Sequence, residues 1–211
     1  MKYNFGFGVE DGADDRHITA RLAGESASPT AASPPRASAR SRSGEGQDIV
    51  LRKPVATDGP AISGLIAACP PLDPNSAYCN LLQCTDFADS CIVAERGGGV
   101  VGWVSGYRPP AAPDNFFVWQ VAVSSAARGQ RLAGRMIEAL LARPEQAGVT
   151  HLTTTITDDN RASWALFQGL ARRWGVRIEK TARFEEQAHF AGAHATEWQA
   201  RIGPLPTLAQ I

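Results

Sequence analysis

Two clusters of residue types in this chain could do chemistry. The first lies in VWQVAVSSAARGQRLAGRM, residues 118–136, where an apolar, strand-like run meets Gly129 among arginines and then turns amphipathic. A strand feeding a helix leaves the N–H groups of the first helical turn without carbonyl partners, at the positive end of the helix dipole. Such an end favours anions. Gly129 permits close approach of the backbone, and Arg128 and Arg135 add diffuse positive charge suited to a diphosphate. The alternative for the same residues is an exposed amphipathic helix with scattered arginines. The second cluster comprises Asp73, Asn75, Ser76 and Tyr78 in PLDPNSAYC, Trp119 on the strand, and His194 and Glu197 in AGAHATEW. A carboxylate can hold an ammonium, and hydroxyls and amides can bind a carboxylate. An indole can wall a pocket or face a cation, and a histidine or glutamate can take a proton. Taken singly, Asp73 before Pro74 could instead open a turn, Tyr78 and Trp119 could be core aromatics, and His194 a surface residue.

The chain has 211 residues with 21 basic and 21 acidic side chains, so nothing global attracts nucleic acid or an anionic membrane. Phosphate binding must be local. The length suits one domain with a tail. Cys69, Cys79, Cys84 and Cys91 crowd one stretch without C-x-x-C pairs, which points to buried free thiols and no metal. No apolar run approaches the ~20 residues that cross a bilayer, and the N-terminus lacks the apolar core of a signal peptide. A cytoplasmic protein is expected.

The elements that must position these residues can be read along the chain. Residues 1–46, rich in Ser, Ala, Pro and Arg, are expected to be a disordered arm, and 47–211 a single domain. The acids Glu10, Asp11, Asp14 and Asp15 argue against reading the arm as a transit peptide. A strand at 49–51 leads to a helix with Thr57 as candidate N-cap. A second helix covers SAYCNLLQCTDFA, then SCIVAE, a glycine turn and VVGWVSGY form a hairpin, and NFFVWQVAV is a more buried strand. The helix after it carries Leu132, Met136, Leu140 and Leu141 on one stripe. THLTTTIT is a strand, and DDNRASWALFQGLARRWG a helix capped by Asp159 or Asn160 and closed by Gly175. VRIEKTARF and TEWQARIG end the domain as strands. The order β-α-α-β-β-β-α-β-α-β-β predicts a mixed α/β or α+β sheet, not a doubly wound one.

The segment Arg128-Gly129-Gln130-Arg131-Leu132-Ala133 resembles motif A of the GNAT acetyltransferases, R/Q-x-x-G-x-G/A, with Arg131 standing where that pattern has glycine. The resemblance implies the GNAT acyl-CoA N-acyltransferase fold, a mixed, mostly antiparallel sheet flanked by helices (α/β, α+β), with acetyl-CoA as cosubstrate. The strand Val121-Ala122-Val123 would pair with its pantetheine arm, and the amides of Gly129 to Gly134 with its pyrophosphate. In the later helix, which resembles motif B, Asn160 would contact the pantetheine, with Ser163 one turn on and Phe167 where many members carry a tyrosine. Beyond the fold, D-x-N-S-x-Y-C, S-G-Y-R-P-P and F-V-W-Q-V-A-V make residues 48–204 similar to the L-2,4-diaminobutyrate acetyltransferases of ectoine biosynthesis. That narrower resemblance implies acetylation of the 4-amino group of L-2,4-diaminobutyrate on the way to a compatible solute, and a homodimer. It carries Asp73, Ser76, Tyr78, Trp119 and His194 into the substrate pocket.

Attack on a thioester needs a free amine. His194 and Glu197 are the candidate bases, Asp73 a third, and Tyr78 or Tyr107 could return a proton to the thiolate. A cysteine nucleophile, Cys79 or Cys84, is the contrary possibility. Two further alternatives are acetylation of another small diamine or amino acid, and a catalytically silent acyl-CoA-binding module.

Overall fold

A computed structural model describes residues 48–206, and the expected N-terminal arm lies outside them. Seven strands form one sheet: β1 (Val50–Arg52), β2 (Cys91–Arg96), β3 (Gly99–Tyr107), β4 (Asn115–Val123), β5 (His151–Ile156), β6 (Arg177–Phe184) and β7 (Glu197–Gly203). Their spatial order is β1-β2-β3-β4-β5-β7-β6. Only β4 and β5 run parallel, so the sheet is mixed, as the element order predicts, and mostly antiparallel, as the resemblance implies. The helices are α1 (Gly59–Ala67), α2 (Ala77–Cys84), α3 (Leu132–Leu141), α4 (Arg161–Trp174) and a short α5 (Glu186–Phe190) between the two final strands.

Each face of the sheet carries a core. On one face the stripe Leu132, Met136, Leu140 and Leu141 of α3 joins Phe167, Leu170 and Trp174 of α4 against Ile92, Val104, Phe116, Val118, Leu152, Ala200 and Ile202. Phe116, Met136, Leu140 and Leu152 are fully buried, and each contributes about 1.5–3 kcal/mol by leaving water. On the other face Ile62, Leu65 and Ile66 of α1 cover Cys91, Val93, Trp103 and Ala122.

Two irregularities in β4 decide where ligands can go. First, β4 pairs with β5 only through Asn115, Phe116 and Phe117, opposite His151, Leu152 and Thr153. Beyond these pairs β4 continues to Val123 and β5 to Ile156 with no pairing between them, so the sheet opens into a cleft. Second, β4 contains a bulge against β3: Ser105 faces Gln120 but Gly106 faces Val118, leaving Trp119 as the extra residue. The inserted residue exchanges the two faces of the strand. Phe116 and Val118 point into the α3/α4 core, whereas Ala122, three residues past Trp119, points beneath α1. Gly106 fits this corner because a Cβ there would lie 2.6 Å from Phe116 Cε1 and from Phe117 O.

The capping residues follow the sequence in part. Ser76 Oγ accepts from Cys79 N at the start of α2, Asn160 Oδ1 accepts from Ser163 N to open α4, and Gly175 closes α4 at φ 66°. Thr57 is not a cap. It sits in a 3-10 turn over Ala56–Asp58 that precedes α1, because the Asp58 carboxylate reaches back to the Val55 N–H at 2.8 Å and closes that turn first.

Candidate active site

Three adjoining cavities follow the opening between β4 and β5. The first, about 300 Å³, lies at the N-terminus of α3 and is lined by Arg128, Gly129, Arg131, Leu132, Ala133 and Gly134, with Leu166, Gly169 and Arg173 of α4 opposite. The second, about 290 Å³, shares Val123, Arg128 and Leu166 with the first and adds Val121, Asn160 and Ser163 beside Cys69 to Leu72. The third, about 440 Å³, shares Pro71, Leu72 and Asn160 with the second and brings in Asp73, Asn75, Trp119, Asp159, His194 and Glu197. The shared walls make one continuous cleft. Its ends differ in sign: three arginines line one end and three carboxylates the other. Such a cleft accepts an anion at the α3 end and a cation at the far end.

At the α3 end the turn uses left-handed backbone at Gly129, φ 78°, and at Arg131, φ 56°. A side chain disfavours that conformation, which is the physical reason a glycine suits position 131. The first bond of α3 runs from Arg135 N to Arg131 O at 3.0 Å, so the N–H groups of Leu132, Ala133 and Gly134 have no acceptor within the helix. Arg128 Nε donates to Val123 O at 3.2 Å, and the Cys69 thiol reaches the same carbonyl at 3.5 Å. The guanidinium is thereby fixed where the strand ends and the helix begins.

At the far end the bulge turns Trp119 out of the sheet, leaving it 51% exposed on the cavity wall with its ring edge-on to Tyr107 at 6.2 Å. His194 Nδ1 lies 2.7 Å from Ala195 O. A carbonyl only accepts, so Nδ1 carries the hydrogen and Nε2 is the nitrogen turned toward Glu197 Oε1, 3.8 Å away. Loop, strand and sheet edge thus supply an imidazole lone pair, a carboxylate and an indole to one cavity.

Not every residue singled out from the sequence is brought there. Ser76 spends its hydroxyl on capping α2. Tyr78, 70% exposed, and the exposed Gln130 and Arg135 line none of these cavities. Ala122 turns its side chain into the α1 core, leaving only main chain for a ligand. Phe167 is a core residue, 3% exposed, because its helical position faces the sheet rather than the cleft. Conversely, Asp159 and Gln120 were not singled out as site residues. Asp159 accepts from Thr157 Oγ1 at 2.6 Å and lines the acidic cavity; Gln120 lines it too and donates its amide to the Asp73 carbonyl. The signal for Gln120 was a lone amide inside an apolar strand run.

The four cysteines are free. Burial pushes the Cys84 thiol up to about 11 and the Cys91 thiol up to about 12, the opposite of what a nucleophile needs. Among the described residues no group of His, Cys, Asp and Glu could hold a metal ion, and no helix is long and apolar enough to cross a membrane.

Residues 62–171 match the acetyltransferase (GNAT) family. The chain is 50% identical over 157 residues, 74% of its own length and 91% of the relative's, to the L-2,4-diaminobutyric acid acetyltransferase of Methylotuvimicrobium alcaliphilum. It is 49% identical to that of Halomonas elongata, covering 77% of this chain and 85% of the relative. The structure resembles that of the diaminobutyrate acetyltransferase from Paenibacillus lautus, solved with L-2,4-diaminobutyric acid and coenzyme A, with a TM-score of 0.72 and 36% identity over 77% of this chain and 98% of that one. The family match over residues 62–171, the identity to these relatives and the shared fold place the chain in the GNAT family among the L-2,4-diaminobutyric acid acetyltransferases.

Proposed function

We propose that the protein transfers the acetyl group of acetyl-CoA to the 4-amino group of L-2,4-diaminobutyrate, yielding N4-acetyl-L-2,4-diaminobutyrate for ectoine synthesis. The observation that carries this reading is the single cleft joining the α3 N-terminus to the Asp73, Trp119, His194 and Glu197 pocket at the point where β4 leaves β5. The unpaired amides of Leu132 to Gly134 and the arginines suit the diphosphate, and the unpaired length of β4 suits the pantetheine amides. Three carboxylates suit a substrate with two ammonium groups.

An alkylammonium with a pKa of about 10 is the free amine in only about one part in a few thousand at pH 7. Glu197 and the Nε2 of His194 face each other across 3.8 Å, a gap into which an ammonium can donate to both. The pair takes one proton from the ammonium, the amine nitrogen bonds to the acetyl carbon, the carbon–sulfur bond breaks, and the second proton that the nitrogen sheds passes through water to the departing thiolate. Asp73 holds the second ammonium. Trp119 walls off water and favours the neutral amine by desolvation. A main-chain N–H of β4 near Val121 meets the charge that develops on the carbonyl oxygen.

The protein acts in the cytoplasm as a homodimer and serves osmoprotection. Its free cysteines support the compartment. The dimer is supported by a sheet face that α1 and α2 leave uncovered over β7 and β6, where Arg183 lies over Phe117 and bonds Gln199 beside the exposed Phe184. Mass spectrometry of the product of acetyl-CoA and L-2,4-diaminobutyrate tests the activity. Acetylation at the α-nitrogen, or faster turnover of ornithine or lysine, would reject the substrate.

A further inference from the structure

Beneath the loop that carries Asp73 runs a chain of amides that the chemistry above does not use. Gln120, 7% exposed, donates from Nε2 to Asp73 O at 2.8 Å and accepts at Oε1 from Asn75 Nδ2 at 3.1 Å. The same Asn75 nitrogen reaches Asn80 Oδ1 at 3.3 Å. Asn80, 1% exposed, donates in turn to Ser63 Oγ at 2.8 Å. These contacts bind α1, α2 and the loop to β4 through one side chain.

The bulge is what sends Gln120 there. Without the extra residue, position 120 would share a face with Phe116 and Val118 in the α3/α4 core; with it, Gln120 pairs with Ser105 on the α1 side. One backbone irregularity therefore aims the Trp119 indole into the acidic cavity and the adjacent amide under the loop that forms its opposite wall. A primary amide is suited to this place because it offers a donor to the carbonyl and an acceptor to the Asn75 amide at once. A carboxylate would set oxygen against oxygen at Asp73, and a hydrocarbon would satisfy neither partner.

We infer that Gln120 is the positioning residue of the amine subsite: it holds Asp73 and Asn75 at a fixed separation from Trp119, and so sets affinity for the diamine without touching the thioester half of the cleft. This rests on the proposed function. The test compares KM for L-2,4-diaminobutyrate with KM for acetyl-CoA in the wild type, Gln120→Met and Gln120→Glu. Both variants raise KM for the diamine about tenfold, while KM for acetyl-CoA stays within about twofold.

A pH series separates positioning from mere packing. In Gln120→Glu the buried carboxyl, facing a carbonyl oxygen, titrates above its ordinary range. Once protonated it regains a donor toward Asp73. Its KM excess over the wild type therefore shrinks between about pH 9 and about pH 6, whereas that of Gln120→Met does not. Should Gln120→Met fail to fold, Asn75→Ala at the half-buried end of the chain reads the same split. Equal rises in both KM values, no rise in either, or a pH-independent excess in Gln120→Glu overturns the assignment. Wild type active on diaminobutyrate with unaffected variants rejects Gln120 alone, whereas wild type inactive on that amine rejects the proposed function and this inference with it.

Discussion

At the scale of single residues, the site separates into groups that meet reacting atoms and groups that hold them. The tautomer of His194 is set by one carbonyl, Ala195 O, and it leaves the basic nitrogen on the side of Glu197. On the proposed mechanism, removing that partnership removes proton acceptance but not cofactor binding. Glu197→Gln is therefore expected to lower kcat by about 10²–10⁴, with the acetyl-CoA dissociation constant unchanged by calorimetry; weakened binding together with unchanged kcat would reject the base. Cysteine chemistry gives a second check. The thiolate is the reactive form, and with the Cys84 thiol near 11 and the Cys91 thiol near 12, only about one part in a thousand or fewer is ionised at pH 8. Iodoacetamide at that pH should leave both unmodified in the folded protein, as read by peptide mass spectrometry.

Among the elements, β4 and the start of α3 do the positioning. Arg131 caps α3 in left-handed backbone, which costs a residue with a side chain about 1–2 kcal/mol, while glycine pays about 0.5–1 kcal/mol for its unfolded freedom. The difference favours glycine by a few tenths to about 1 kcal/mol, so Arg131→Gly should raise Tm by about 1–4 °C in scanning calorimetry. A lowered Tm would mean that the arginine side chain earns more by its contacts than the strain takes. The bulge should tolerate change less well. A Cβ at Gly106 meets both a ring carbon and a carbonyl oxygen of β4 at 2.6 Å, so Gly106→Ala is expected to cost about 1–3 kcal/mol by urea titration. If that variant matches the wild type in stability, the corner is not held as described.

For the molecule as a whole, the cluster around Arg52 links the sheet edge to the helical layer. Arg52 grips both oxygens of Asp58 at 2.7 and 2.8 Å and Glu95 at 2.8 Å, joining β1 to the turn that leads into α1 and to β2. The guanidinium, reinforced by the Val55 N–H, holds the Asp58 carboxyl below its ordinary range. A depressed carboxyl favours the folded state above its unfolded pKa of about 4, and that contribution is lost as pH falls through the folded value. Asp58→Asn should accordingly cost about 1.5–3 kcal/mol at pH 7 and less at about pH 3, below the unfolded pKa of about 4, where the unfolded chain takes up the proton. Urea midpoints at the two pH values measure this, and an equal loss at both would assign Asp58 a packing role instead.

Periodicity and turn chemistry, which are local, determined most of the element order in advance: the α3 stripe, the glycine hairpin, the Asn160 and Gly175 ends of α4 and the β-branched β5 were all legible because each depends on neighbours within a few residues. Motif resemblance made the arginine-lined end legible too, since Arg128 to Gly134 form one contiguous turn. The acceptor end was legible only as a list. Asp73, Trp119 and Glu197 lie far apart in sequence, and their meeting depends on β4 parting from β5 and on the bulge that reverses the strand's faces. For the same reason Phe167 and Ala122 could not be told from ligand contacts, nor Gln120 from a strand residue. Which face a residue presents is set by register against a partner strand, a long-range property that only the assembled sheet fixes.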